Sequence, residues 1–263
     1  MSLSDQAVEV LRSLWEEQDD SFLYAYRDLL SSWRDYALAN PDDVIQHGLP
    51  WADPLRKLIE AGVLDGSKDM LSFFAAEAGL TGGTAAIMHT IADHYALHLP
   101  QIAGDLDGSL SQTARNAARL ALQTGMSERD AAGLMLQKYA QLGANRVRTI
   151  ARTELTNGAC LARIGAQAAA GRTLFEYRSI LDDVTTRTCT HLNHVVLDML
   201  DPLARELSPA NHFRCRALLV PAAQDATPAT SQQLQQLLSI RQQEFPGWQS
   251  RLAPTVARLM GVG

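Results

Sequence analysis

The apolar residues at the start of the chain recur at steps of three and four positions, the repeat of one face of an α-helix. Between Ser4 and about Leu38, Asp, Glu and Arg occupy the other side. This pattern predicts a long amphipathic helix that ends near Asn40, because Pro41 disfavours helical backbone in the residue before it. The apolar face consists of Val8, Leu11, Leu14, Trp15, Phe22, Tyr26, Leu29, Leu30 and Trp33.

Shorter helical patterns follow as far as Gly171, which is a suitable C-terminal cap. We expect Gly62, Gly66, Gly79 and the Gly82-Gly83 pair to separate the first of these helices. The first hundred residues are therefore predicted to be helical throughout. The predicted helices cover about residues 51–64, 67–79, 81–98, 109–124, 127–142 and 144–170.

After Gly171 the repeat changes from the helical period to alternation, which predicts a strand over about 174–180. Two short apolar runs, 195–197 and 217–220, could pair with it as a small sheet. The fold class predicted is mainly α, with a helical N-terminal region followed by a small α+β module with a short sheet. From Pro221 onwards, a polar stretch and a glutamine-rich helix indicate a linker and a docking tail.

Composition narrows the classes of function. A net charge of -6 argues against a surface that tracks a nucleic-acid backbone along its whole extent, although a local basic patch is compatible with it. Three cysteines are too few for a disulfide framework, and no signal peptide or membrane-spanning run of about 20 apolar residues is evident. We expect a soluble protein made in a reducing cytoplasm.

The most unusual local chemistry is the pairing of Cys189 and His191 with His212 and Cys215, which could form a tetrahedral zinc set. If one histidine is not a ligand, Asp182 or Asp183 could complete the coordination sphere. The alternative is that both cysteines are small core residues and the histidines cap loops.

A third interpretation uses Cys189 as a nucleophile, with His212 as its base and Asp182 or Asp183 orienting the imidazole. No protease signature flanks these residues, and the chain contains no P-loop, GxGxxG, EF-hand or GxSxG motif.

Two further groups of side chains allow more than one interpretation. His89, His94 and His98 share a predicted helix and could present imidazoles to a metal, but a polar or partly buried helix face is the simpler account. A set of arginines could contact phosphate or a partner's carboxylates, or could form ion pairs within the chain. These arginines are Arg146, Arg148, Arg152, Arg163 and Arg172.

Three motifs in a fixed order resemble the phage head morphogenesis family, whose members include Mu-like minor head proteins. Arg148–Glu154 with Ala159 is similar to its "IARTE…A" helix, and Leu181–Cys189 with Leu192-Asn193 is similar to its "LDxxTTxxCxxLxG" loop. Its closing "PxxHxxCRxxxxP" is matched by Pro209, His212, Cys215, Arg216 and Pro221. With a weaker match at Gly125–Ala131, the resemblance covers about residues 110–221. The chain departs from the family at His194, where the family has glycine, and His191 is not a family position.

The resemblance implies a minor head protein of a tailed phage or prophage that acts in capsid assembly near the portal and could contact packaged DNA. Portal and capsid proteins would be its partners, in an assembly of several copies. Its location would be the virion head, after synthesis in the host bacterial cytoplasm. It implies no demonstrated enzyme activity; the alternative is a metal-dependent hydrolase or nuclease, or a toxin-type transferase, on the same module.

The same resemblance divides the chain into a helical region (1–105), the head morphogenesis module (106–221), and a linker with a docking tail (222–263). Within the module, eight residues are expected to join the long helix, the small sheet and the loops into one structure. They are Arg152, Glu154, Asp182, Thr186, Cys189, His212, Cys215 and Arg216.

Overall fold

The computed structural model describes residues 3–47, 49 and 52–262. Within these residues the chain forms nine helices and three short strands, which confirms a mainly α fold with a small α+β module. The elements are α1 (Leu3–Ala39), α2 (Pro41–His47), α3 (Ala52–Ala78), α4 (Thr84–Gln123), α5 (Glu128–Ala169), β1 (Leu174–Ser179), α6 (Arg187–Leu192), β2 (Val196–Asp198), α7 (Pro202–Glu206), β3 (Ala217–Pro221), α8 (Ser231–Glu244) and α9 (Ala253–Leu259).

The end of α1 is as predicted, but the break predicted between 51–64 and 67–79 is wrong. Both stretches belong to the single helix α3, with Gly62 and Gly66 inside it. A Cβ atom at Gly62 would overlap the ring of Phe22, and one at Gly66 would lie 2.6 Å from Leu155. Glycine at these positions permits close packing and does not end the helix.

Two further predicted breaks are also wrong, whereas those near 80 and 125 do lie between helices. The patterns at 81–98 and 109–124 form one helix, α4, which continues through Pro100. Buried Leu99 and Ala103 flank this proline, so apolar packing outweighs its helix penalty of about 3 kcal/mol. The patterns at 127–142 and 144–170 form the single helix α5, in which Gly143 leaves room for the hydroxyl of Tyr26.

The described chain forms two compact units. One combines Met1–Trp15, Val63–Tyr95 and Arg152–Gly263, and the other combines Glu16–Gly62 and Ala96–Ala151. The second unit has an apolar core with buried tyrosines in it: the Tyr26 hydroxyl donates to the carbonyl of Tyr139 at 2.7 Å, and the Tyr139 hydroxyl bonds Ser111 at 2.5 Å.

In the first unit, the C-terminal part of α5 runs through the interior, and every residue from 153 to 167 is buried. Its Arg163 forms a two-point ion pair with Glu77, with nitrogen–oxygen distances of 2.5 and 3.1 Å. The guanidinium also lies 4.6 Å from the ring centre of Phe74. A buried arginine is tolerated here because its charge is paired and hydrogen-bonded.

The sheet of the first unit has the order β2-β1-β3, and both pairings are antiparallel. The three predicted strands are thus confirmed. On β1, Phe175 and Tyr177 are fully buried while Glu176 and Arg178 on the opposite face are half-buried, as the alternating sequence predicts. Tyr177 lies opposite Leu219 of β3, and this pairing brings its hydroxyl toward the loops described below.

The segment predicted as a linker and docking tail contains α8 and α9. Helix α8 contacts α6 and α7, and α9 contacts α7, all within the first unit. The division of the chain at 105 and 221 stays a prediction. Across the residues that the structure describes, no helix combines the length and apolar character that a membrane span requires.

Candidate metal centre

Three donor side chains converge from a short helix and a turn that are separate in the sequence. Cys189 lies on α6, and His212 and Cys215 lie in the turn before β3. The Cys189 sulfur is 3.1 Å from His212 Nε2 and 3.8 Å from the Cys215 sulfur, and all three donor atoms lie within 4.8 Å of one another. All three side chains are buried, and in the described part of the chain no other group of His, Cys, Asp or Glu is so arranged. The cluster could hold a metal ion.

Local hydrogen bonds fix the position of Cys189 on α6. Thr186 caps α6, and its hydroxyl oxygen accepts from the Cys189 amide at 3.3 Å. The Ser179 hydroxyl of β1 donates to the Cys189 carbonyl at 2.8 Å. These contacts hold the Cys189 backbone at both its amide and its carbonyl.

The second loop is held by the buried part of α5. The Thr153 hydroxyl accepts from the Arg214 amide at 3.0 Å, and the Thr156 hydroxyl donates to the Cys215 carbonyl at 3.2 Å. Arg214 has a φ of 59°, a left-handed conformation that few residues other than glycine adopt. The tight turn brings His212 and Cys215 to the same side of the loop.

The separation of the two sulfurs fits a tetrahedral metal with soft ligands. In a tetrahedral zinc site with Zn–S bonds of about 2.3 Å, two sulfurs are separated by about 3.8 Å, which is the separation of Cys189 and Cys215. The Nδ1 atom of His212 lies 2.8 Å from the Phe213 carbonyl, so Nδ1 carries the proton and Nε2 presents its lone pair toward the sulfurs.

A chain of hydrogen bonds leads from a buried cation to the two sulfurs. Arg241 donates to Asn211 Oδ1 at 3.3 Å, and Asn211 Nδ2 donates to the Tyr177 hydroxyl oxygen at 3.2 Å. That oxygen is 3.5 Å from the Cys189 sulfur and 3.7 Å from the Cys215 sulfur. Because the Tyr177 oxygen accepts from Asn211, its own proton is directed to the sulfurs, which favours thiolate there.

The ionisation of the centre follows from these contacts. The Cys189 thiol donates to Cys215, and this bond together with burial raises the pKa of Cys189. Burial alone would raise the pKa of Cys215, but the same bond outweighs burial and lowers this pKa to about 7. The hydrogen bond with the Tyr177 hydroxyl also lowers it. Burial disfavours the imidazolium of His212, but the interactions with Cys189 outweigh it and raise the pKa of His212. A metal would displace the remaining thiol proton on binding.

Helix α8 covers the centre from the C-terminal segment. The Glu244 carboxylate accepts from the amides of Arg187 and Thr188 at 3.0 and 2.7 Å, at the N-terminus of α6, where a negative charge is favourable. The Phe245 ring stacks on His212 with the ring centres 5.0 Å apart. Sequence inspection did not identify Tyr177, Asn211, Glu244 or Phe245. Only Asn211 carries a local signal, since it directly precedes His212.

The structure brings together three of the five predicted ligands. His191 is exposed in the last turn of α6 and lies outside the close group. Asp182 is also exposed, and Arg216 holds it in a two-point ion pair with both distances at 2.6 Å, which lowers the pKa of Asp182. Asp183 is exposed as well. The ligand roles of these residues stay predictions.

The remaining motif residues have defined surroundings. Glu154 is buried, accepts from Asn157 at 2.9 Å and pairs with Arg251 at 3.4 Å. Burial dominates these interactions and raises the pKa of Glu154. His194 takes the place of the family glycine with a φ of 67°, and its Nδ1 lies 2.7 Å from Glu176. The left-handed turn is therefore kept without glycine.

His89, His94 and His98 lie on α4, but they do not form one cluster of metal donors. His94 is buried and bonds Thr255 at 3.0 Å, whereas His89 is exposed beside Asp93 at 3.8 Å. Among the arginines, Arg163 forms the buried ion pair described above, and Arg146 donates to the Ser109 hydroxyl at 2.6 Å.

Two cavities with shared walls open beside the centre. A small one of about 20 Å³ is lined by Cys189, His212 and residues of the two loops, and a larger one of about 370 Å³ is lined by His212, Cys215 and Arg152 among others. The residues that line both are Val184, Thr186, His212, Arg214 and Arg216.

The comparison with protein families links part of the chain to a known family. Residues 112–220 match the family described as Phage Mu protein F like protein, and this segment contains all of the converging donors. The resemblance to Mu-like head morphogenesis proteins inferred from the motifs is thus confirmed, and it indicates a phage head-related protein. No curated protein and no solved structure matches the chain.

Proposed function

We propose that this chain, whose residues 112–220 carry the Phage Mu protein F like module, is a minor head protein of a tailed phage or prophage that acts in head assembly near the portal. The match to this family is the observation that carries the proposal. Portal and capsid proteins are its partners, several copies enter each head, and the chain reaches the virion from the host cytoplasm.

The contacts of the motif residues support a module that holds its shape for binding. Asp182 and Arg216 pair with each other, Thr186 caps α6, and Glu154 is buried against Asn157. Each of these polar groups is used to fix a loop or helix end. A rigid module of this kind suits a protein that must fit into a regular assembly.

The centre is proposed to hold zinc through Cys189, His212 and Cys215. Two sulfurs and one imidazole nitrogen are a donor set that zinc prefers. Zinc would cross-link the α6 loop to the turn before β3, and its binding free energy would add to the free energy of folding. On this proposal the metal is structural.

Contact with packaged DNA is a further part of the proposed role. The net charge of -6 opposes broad contact with DNA, so any contact would be local. The cationic side chains on the wall of the larger cavity are Arg152, Arg214 and Arg216.

Co-purification tests the head role. Heads purified from cells that produce the phage or prophage are expected to contain the chain, and the tagged chain should retain the portal or major capsid protein. Arg216→Gln would loosen the Asp182 loop and is expected to weaken retention, whereas the exposed Arg172→Gln serves as a matched control. The proposal would be contradicted if the chain were absent from purified heads and retained neither the portal nor the major capsid protein.

A second candidate, an enzyme on the same module, is motivated by the 3.1 Å contact between Cys189 and His212. Nucleophilic cysteines usually have a lowered pKa, whereas the bond to Cys215 and burial raise that of Cys189. Cys189→Ala and His212→Ala separate the two accounts. Loss of folding together with metal content supports a structural centre, whereas loss of a hydrolase, nuclease or transferase activity in a well-folded variant supports the enzyme.

A further inference from the structure

Two of the three free cysteines have their sulfur atoms in contact. The sulfurs of Cys189 and Cys215 are 3.8 Å apart, although one residue lies on α6 and the other in the turn before β3. A disulfide bond has a sulfur–sulfur distance of about 2 Å, so a short approach would join them. The third cysteine, Cys160, lies on α5 outside the close group of donors. Cys189 and Cys215 are therefore the pair that could form a disulfide.

The backbone around this pair leaves the side chains able to approach each other. Cys189 lies within the six-residue helix α6, and Cys215 lies two residues before β3. The hydrogen bonds that hold them reach the Cys189 amide and carbonyl and the Cys215 carbonyl. A rotation about a Cα–Cβ bond moves the sulfur and leaves these backbone bonds intact. The two sulfurs could therefore meet without loss of secondary structure.

Both cysteines line a cavity, although both are buried. Cys189 lines the small cavity of about 20 Å³, and Cys215 lines the larger one of about 370 Å³. The small cavity is just above the ~10–15 Å³ that a single water needs, and hydrogen peroxide is larger than water by one oxygen atom. Cys160 is buried and lines neither of these cavities. A small neutral oxidant would therefore reach the pair before it reached Cys160.

Polar groups beside the sulfurs favour their oxidation. The Tyr177 hydroxyl lies 3.5 and 3.7 Å from the two sulfurs and can donate to either one. His212 Nε2 is 3.1 Å from the Cys189 sulfur and can accept the proton that this thiol releases. A thiolate, rather than a thiol, is the form that reacts with peroxide. The surroundings therefore support the reactive form of the pair.

We propose that Cys189 and Cys215 form a reversible disulfide when the chain meets a peroxide, and that this reaction releases the bound metal. The release step rests on the zinc centre of the proposed function, whereas the disulfide needs only the two sulfurs. Neither step rests on the head role. The disulfide would link α6 to the turn before β3, the same two elements that zinc would join. The module would thus exchange one cross-link for another on oxidation.

The reaction balances with hydrogen peroxide as the oxidant. One thiolate takes an oxygen atom from peroxide as the O–O bond breaks, which gives a sulfenic acid and hydroxide. The second thiolate attacks the sulfenic sulfur, the S–S bond forms, and the sulfenic oxygen leaves as a second hydroxide. Two protons convert both hydroxides to water; they come from the thiols of the metal-free protein, or from solvent when zinc held the thiolates. Each sulfur loses one electron, and peroxide gains two.

Treatment of the full, zinc-containing chain with hydrogen peroxide tests the proposal. Alkylation in denaturant counts the thiols, mass spectrometry of proteolytic fragments locates any link, and a chromogenic chelator reports zinc release relative to an untreated sample. We expect loss of two of the three free thiols and a link between Cys189 and Cys215. About one equivalent of zinc should be released. A dithiol reductant should restore both thiols.

Variants show whether the link depends on this pair. Cys189→Ser and Cys215→Ser should each form no disulfide within the chain, because each retains only one sulfur of the pair. Cys160→Ala is the matched control, since it removes a buried cysteine outside the close group of donors, and it should form the same link as the parent chain. The result for the parent chain does not depend on the folding of any variant.

The outcomes separate the disulfide from the metal centre. If zinc is bound at the start and peroxide does not link Cys189 to Cys215, the disulfide proposal is overturned and the metal centre stands. A link that involves Cys160, or a loss of thiols that the reductant does not reverse, also overturns it. If no zinc is bound at the start and the link still forms, the metal centre and the release step are wrong, and the disulfide pair is supported. Absence of both zinc and the link overturns both.

Discussion

Replacing Tyr177 by Phe removes one hydroxyl that touches both sulfurs of the centre and leaves the buried ring in place. The hydroxyl oxygen is 3.5 and 3.7 Å from the sulfurs and accepts from Asn211 at 3.2 Å. Tyr177 and Asn211 are both fully buried, so water cannot replace the lost contacts. We expect the variant to fold and to bind metal more weakly.

The magnitude has two parts. Loss of a hydrogen bond to a metal ligand typically lowers metal affinity about 10–100-fold, or about 1.4–2.8 kcal/mol. The Asn211 amide also loses one acceptor while keeping the Leu207 carbonyl at 2.8 Å. An unsatisfied buried donor costs about 1–3 kcal/mol of stability, and this cost is paid with or without metal.

Competition with a chromogenic chelator measures the zinc affinity. Urea unfolding of the metal-free protein measures the stability lost through the unsatisfied Asn211 amide. Tyr139→Phe is the matched control, because Tyr139 is also buried and its hydroxyl bonds Ser111 in the other unit. The control should lose stability but keep its zinc affinity. Equal zinc affinities for Tyr177→Phe and the parent protein would refute the role given to the hydroxyl.

Three other perturbations test the fold around the centre, each by urea unfolding. Glu77→Gln leaves the Arg163 cation buried without its counter-charge and should lower the free energy of unfolding by about 3–5 kcal/mol. Lys57→Gln, at an exposed ion pair, should change the free energy of unfolding little. Equal losses for the two variants would contradict this account. Burial raises the pKa of Glu154, so the stability that its neutral carboxyl contributes is present below about pH 4.5 and is lost as the pH rises through the raised pKa. Glu154→Gln should therefore become more stable relative to the parent as the pH increases from 4.5, and a difference that is independent of pH would oppose this reasoning. Because His194 has a φ of 67°, His194→Gly should be more stable than His194→Ala by about 1 kcal/mol, and the reverse order would show that the left-handed turn carries no such strain.

Local patterns predicted the features that depend on local chemistry. The amphipathic repeat and Pro41 gave the first helix and its end, and the alternation after Gly171 gave β1 with Tyr177 on its buried face. The ordered motifs gave the family and the convergence of Cys189 with Cys215. For the helix and the strand, the signal lies within a few residues of the feature it predicts, whereas the convergence of the two cysteines rests on the order of the motifs.

The errors have a common physical cause. Gly62 and Gly66 are expected from the sequence to break helices, and the predicted break between 142 and 144 contains Gly143, but each of these glycines leaves space for a side chain that is distant in the sequence. Neighbours of this kind are set by tertiary packing and leave no local pattern. Gly79 and Gly83, by contrast, have φ values of 70° and 83° and do lie between helices.

The outer contacts of the centre were missed for the same reason. Glu244 and Phe245 lie more than thirty residues beyond the motif segment's His212, in a stretch whose composition suggested only a linker and a tail. Their contacts with α6 and His212 depend on how α8 returns to the first unit. No spacing rule relates such a helix to the loops it covers.

The metal content of the purified chain tests the central claim most directly. The full chain, prepared without chelators and analysed by elemental mass spectrometry, is expected to contain about one equivalent of zinc, because two cysteine sulfurs and one imidazole nitrogen converge in a buried group with the sulfurs 3.8 Å apart. Cys215→Ser should contain much less zinc, whereas His191→Ala should retain it. A folded parent protein that contains no zinc, and whose unfolding curve does not change when zinc is added, would contradict the account.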